Sequence, residues 1–119
     1  MSALVPPVLI EALRPLGVLV ATKVPSSRPA EMVRIVDAGG PEVDQLVMDV
    51  ADVTWEAWAS DDVRAAQLAL DVRALIDSMS GLVAGVWVTY ATATRPRSFP
   101  DDLSGSARYV GSAQIHFQA

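Results

Sequence analysis

The clearest pattern in the chain is a set of apolar positions, Ala65, Leu68, Ala69, Val72, Leu75, Ile76 and Met79, recurring every three or four residues. Arg64, Gln67, Asp71, Arg73 and Asp77 fall between them. That period is the apolar stripe of an amphipathic helix, and such a stripe has to be buried against something, here a sheet. Ser60 is the expected N-cap, with Asp61 and Asp62 in the first turn where the helix dipole favours negative charge, and Gly81 closes the element. Leu70 and Ala74 lie off the stripe, toward solvent. Upstream, Val43, Leu46, Val47 and Val50 have helical spacing, but "VADVTWEAWA" alternates with a period of two, so a strand is assigned from about Asp49 to Ala59. The alternation puts Val53, Trp55 and Ala57 on one face and Thr54, Glu56 and Trp58 on the other.

The remaining elements follow from prolines, glycines and β-branched runs. Pro6 and Pro7 suit the first turn of a helix that carries Val8, Leu9, Ala12 and Leu13 inward and ends at Pro15 and Gly17. Strands are expected at Val18–Thr22 and Glu31–Ala38, with the proline-framed segment around Arg28 between them and Gly39, Gly40 and Pro41 as the next reversal. Two more are expected at Ala84–Thr94 and over "ARYVGSAQIHFQ". The proline- and aspartate-rich loop from Arg95 to Ser106 is expected to be mobile in the free chain and ordered against a neighbour, with Arg95 and Arg97 offering charge-assisted hydrogen bonds. The order α-β-β-β-α-β-β describes an α+β fold, a mostly antiparallel sheet of about five strands with two helices packed on it.

Composition narrows the function. The 119 residues suit a single domain spanning 1–119, and 51% apolar with 19% charged residues indicates a folded one. The formal charge of -5 argues against a nucleic-acid binder, yet DNA could pass such a surface without sticking. The apolar N-terminal stretch lacks a basic start and is broken by Glu11, Arg14 and prolines, which reads as a soluble, non-exported protein with no membrane partner.

Catalytic and metal chemistry find little material. There is no cysteine and one histidine, His116, so neither a transition-metal site nor a serine triad is expected, and no cofactor is called for. Asp61 with Asp62 reads as helix capping, and Asp101 with Asp102 as a solvated turn rather than a calcium loop. Gly39-Gly40 lacks the spacing of a phosphate loop. Core packing accounts for Trp55 or Trp87. Trp58, a large aromatic among polar residues, fits a subunit contact as well as it fits the core.

Taken in order, "VPSSRP" feeding "MVRIVDAGG", then "DVADVTWEAWA", the alanine-rich "RAAQLALDVRALI" and a late "PDDLSGSARY" before the closing strand, the chain resembles the tail terminator proteins of long-tailed (siphovirus-type) bacteriophages. The resemblance runs across nearly the whole chain, although "SARY" stands where the family pattern has a proline before the arginine. It implies a structural virion protein, not an enzyme. Such a protein would be made in the host cytoplasm and placed in the tail at the head-tail junction, as a homo-oligomer, a hexameric ring, capping the tail tube protein. The ring would meet the head-tail connector or stopper protein, with DNA passing through. The family motifs carry over to Arg28, Pro29, Gly39, Gly40, Trp58, Ala59, Arg108 and Tyr109. Together with Leu70, Arg95 and Arg97 from the reading of the residues, the candidate subunit or partner contacts are Arg28, Pro29, Trp58, Leu70, Arg95, Arg97, Arg108 and Tyr109. Two other readings stay open at this point, another head-tail junction part such as a head completion or stopper protein, and a small α+β enzyme with an acidic pocket.

Overall fold

The computed structural model describes residues 4–41 and 48–118. Helix α1 (Val5–Ala12) carries its prolines at the N-terminal end and is followed by a 3-10 turn, Arg14–Leu16, closed by Gly17 in the left-handed conformation. Strands β1 (Leu19–Ala21), β2 (Met32–Asp37) and β3 (Met48–Ala59) come next, then helix α2 (Asp62–Asp77), then β4 (Gly81–Val83), β5 (Val86–Ala93), β6 (Arg97–Ser98) and β7 (Ala107–Gln118). The α+β class stands as expected, with two short strands added. β4 and β6 are too short to show a period, and among the described residues the sheet therefore has seven strands rather than about five. The helical spacing of Val43, Leu46 and Val47 lies outside the described residues.

The sheet order is β1-β2-β3-β7-β5-β4, with β6 also pairing β7. Only β1 and β2 run parallel; every other pair is antiparallel. β3 and β7 match over twelve residues, from Met48 opposite Gln118 to Ala59 opposite Ala107, and form the centre. β5 takes the far half of β7's other edge, Ala113 to Phe117, while β6 takes the near half at Tyr109 and Val110.

Both helices lie on one face. Val5, Val8, Leu9 and Leu13 of the first helical segment, and Ala65, Leu68, Ala69, Val72 and Ile76 of α2, pack with Val53, Trp55, Ala57, Ile115 and Phe117 in one core. The stripe read from the helix is thus the buried one, with Leu75 partly buried beside it. Its N-cap is Asp61, not Ser60: Asp61 Oδ1 accepts from the Arg64 amide at 2.8 Å, and the carboxylate also suits the positive end of the helix dipole. Ser78 caps the other end, and Gly81, three residues later, opens β4 instead of closing the helix.

Two backbone positions fix the strand geometry. Gly111 faces Trp55 across the central pair, and a Cβ there would fall inside the indole. Only a glycine lets the ring lie flat over the strand. Ala84 and Gly85, expected to begin a strand, form the two-residue turn between β4 and β5, both with positive φ (49° and 78°). That is the signature of a type I′ hairpin, unusual for an alanine.

Candidate functional site: the open face of the sheet

The side of the sheet away from the helices presents Met32, Arg34 and Val36 of β2; Asp52, Thr54, Glu56 and Trp58 of β3; and Arg108, Val110, Ser112, Gln114 and His116 of β7. The registers Met32–Trp58–Arg108 and Arg34–Glu56–Val110 run straight across it. Its two ends differ in character, and most of the candidate contacts from sequence gather at one of them.

At that end Trp58 is 3% exposed although it faces away from the main core. Two guanidinium groups cover its ring, Arg28 at 5.8 Å and Arg108 at 5.5 Å from the centroid. Arg108 in turn lies 5.2 Å from the Phe99 ring, and Arg97 lies 5.0 Å from the same ring. The result is an alternating stack of cation and aromatic, Arg28, Trp58, Arg108, Phe99, Arg97. Cation–π attraction favours each contact, more so where the pair is partly desolvated. Hydrogen bonds lock the stack. Arg28 Nη2 donates to Ser106 Oγ at 2.7 Å, and Arg108 Nε donates to the Phe99 carbonyl at 2.8 Å. Glu56 sits between Arg34 and Arg108, at 3.2 and 3.5 Å, with Glu56 and Arg108 side chains both only 14% exposed.

The segment after Arg95 makes a set of hydrogen bonds within its own chain. The Phe99 amide donates to the Arg108 carbonyl, the Asp101 amide to Ser106 and the Gly105 amide to Asp101, which closes a turn. Asp101 also accepts from the Ser104 hydroxyl at 2.7 Å; that bond, with one from the Leu103 amide, holds its carboxyl below the usual range. These bonds fold the segment back on itself, and Arg28 and Arg108 tie it to the stack at Ser106 and Phe99, while most of its residues stay exposed. Glu31, just before β2, receives two bonds from Arg64, which hold its carboxyl low and tie the same end of the sheet to the first turn of α2.

Among the other candidates, Pro29 is exposed and Leu70 is 38% exposed on the outer side of α2. Tyr109 turns toward the helix-covered core and is partly buried there. Arg95 and Arg97 are exposed beside Thr54, Thr94 and Ser112, around a cleft of about 200 Å³, and neither has a carboxylate partner among the described residues. Sequence reasoning missed Phe99 in the stack and Glu56 beside it; Glu56 is recruited by arginines 22 and 52 residues away, and Phe99 joins only because the turn after it brings Arg108 back.

The middle of the face is a polar groove of about 380 Å³ lined by Asp52, Thr54, Thr92, Thr94, Ser112 and Gln114 among others. Gln114 Nε2 donates to Asp52 at 3.0 Å and its oxygen lies 3.2 Å from His116 Nε2, so an amide stands between the only histidine and Asp52. Among the described residues, no three His, Cys, Asp or Glu side chains gather into a metal site.

At the far end the picture reverses. Trp87, a candidate for the core, is 51% exposed, because it occupies the open-face side of β5 where no helix crosses. Leu82 opposite it on β4 is 70% exposed, and Tyr90, whose ring meets His116 edge-on at 5.3 Å, is 55% exposed.

No protein-family model matches the chain, and no characterised protein matches it in sequence. Among solved structures, it is similar to a chain from the virion of a native gene transfer agent particle, with a TM-score of 0.56 at 14% identity over 91% of this chain and 84% of that one. The shared property is the fold.

Proposed function

We infer that the chain is a structural protein of a virion, and within it a tail terminator that closes the tail tube as a ring and offers the surface for the head connector. The observation that carries the reading is the fold likeness to a virion chain over nearly the full length of both partners. The ordered motifs that resemble the terminator family supply the finer assignment.

The site chemistry agrees with a role in assembly rather than turnover. Arginine, tryptophan and phenylalanine dominate one end of the open face, and tryptophan and tyrosine, beside Leu82, the other; arginine and the aromatics are residue types enriched where proteins meet. The groove between them holds hydroxyls and one carboxylate already bonded to an amide, an arrangement without a nucleophile–base pair. An acidic chain with net charge -5 would line a passage that DNA crosses without being retained.

The test is made on particles. Antibody labelling of purified virions from the source phage should place the chain at the head-tail junction, and deletion of its reading frame should give tails of irregular length without filled heads. Absence from purified particles would overturn the virion reading. Presence together with normal, uniform tails in the deletion would overturn the terminator role alone.

A further inference from the structure

We propose that copies of this chain join head to tail along the free edges of their sheets, with β4 of one copy against β1 of the next. The proposal rests on the reading of the chain as a ring-forming virion part, and it names the contact that such a ring would use.

Three observations converge. First, the sheet ends in two three-residue strands, β1 and β4, each paired on one side only among the described residues. Neither carries a charged or proline residue. Charges and prolines are the usual guards of an exposed edge, and short length is the only guard present here.

Second, the directions agree. β1 runs with β2, and the antiparallel steps β2-β3-β7-β5-β4 reverse direction four times, so β4 points the same way as β1. A neighbour placed by rotation alone, without turning over, therefore meets β4 with a parallel strand, the pairing β1 already makes with β2. A contact of this kind is heterologous, and when its rotation closes it generates a ring. The regular twist between neighbouring strands supplies a rotation at the junction.

Third, the side chains match. Leu19 is in register with Met32, and Met32 with Trp58, which puts Leu19 on the open face. It is 43% exposed. At the opposite edge, Leu82, Trp87 and Tyr90 lie on that same face. Edge-to-edge joining sets Leu19 of one copy beside Leu82 and Trp87 of the next, so that apolar surface exposed at both ends of one face is covered by a single contact. A two-fold pairing of β4 with β4 would cover the aromatic side and leave Leu19 in water.

The experiment uses two variants of the full chain, Leu82→Arg with Trp87→Ser at the β4 edge and Leu19→Arg at the β1 edge, read by native mass spectrometry. The wild type should form a closed oligomer and each variant a folded monomer, with circular dichroism unchanged. An equimolar mixture of the two should give a one-to-one dimer and nothing larger, because one intact junction remains between them. The milder Leu82→Ala and Leu19→Ala should weaken assembly about tenfold each, which keeps the test readable if an arginine prevents folding. A wild type that stays monomeric, a variant that assembles normally, or a mixture that stays monomeric would each overturn the edge contact. Loss of assembly in the β4 variant alone would mean two-fold pairing instead. If the chain is found in virions and these variants still assemble, only the edge contact fails, and the virion reading stands.

Discussion

Trp58 and Trp87 sit on the same face of the same sheet, and they live in opposite surroundings. Trp58 is roofed by Arg28 and Arg108, which reach it from the segment before β2 and from β7, and a folded-back turn seals the side. Trp87 stands at an edge where, among the described residues, no segment crosses, so half of its surface is exposed. Strand alternation decides which face a residue takes; what lies over that face is decided by distant parts of the chain. An aromatic that its own chain covers contributes to folding, whereas one left open is available to another chain.

The sharpest way to break the comparison is to truncate each indole. Trp58→Ala should cost about 3–5 kcal/mol in urea unfolding, because it empties a filled site and strips two cations of their aromatic partner. Trp87→Ala should cost less than about 0.5 kcal/mol to the monomer. Equal losses at the two positions would mean that the exposed end is packed in solution.

Next in size, Glu56→Gln should destabilise the protein by about 2 kcal/mol, since it leaves the mostly buried Arg108 and its neighbour Arg34 without an anion. The measured loss should shrink when Arg34 is replaced as well, and a double-mutant cycle reads that coupling. At the other end the expected sign is reversed. Ala84→Asn should stabilise by about 1 kcal/mol, because asparagine tolerates the left-handed turn that alanine is forced into at φ 49°. A fall in melting temperature would show that the alanine methyl is needed there.

The smallest effect concerns acid. Asp101 and Glu31 both titrate below their ordinary values in the folded chain. Groups of this kind contribute stability that is present above their unfolded pKa, about 4, and lost as pH falls through the lower folded pKa. Unfolding followed from pH 5 to pH 2 should therefore show Asp101→Asn and Glu31→Gln losing less stability than wild type. Both carboxylates belong to the covered end, and no such flattening is expected from a change at Trp87.

How much of this was legible beforehand depends on the range of the forces. The α2 stripe and the long alternations of β2, β3 and β7 are local patterns; the strand boundaries fall within a residue of expectation, while α2 is capped three residues before the expected Gly81. β4 and β6 offer three and two residues, too few to carry a period, and they exist because β5 and β7 give them a partner. Ser60 and Asp61 are both good caps, and only the actual turn selects Asp61. Arg28, Trp58 and Arg108 could be singled out one at a time as contacts, but nothing in the chain's local spacing shows that they form one stack. The hydrogen bond from Arg28 to Ser106 joins residues 78 apart, and the ion pair from Arg108 to Glu56 joins residues 52 apart. The same reason explains the misplaced Trp87, which lacks a cover.

The place of β7 in the sheet also sets a timetable for synthesis. It follows the other six described strands in the chain, yet it joins β3 to β5 and also holds β6. While the ribosome is still translating residues before Ala107, the β1–β3 sheet and the β4–β5 hairpin have no strand between them, and Trp55 lacks the glycine on which it lies. The nascent chain must wait, with its central tryptophan uncovered, until Gln118 has cleared the exit tunnel. Stalled chains ending before Ala107 should accordingly be digested by protease, and chains extended past the tunnel should resist. The sheet of each copy is therefore complete only once β7 has been made.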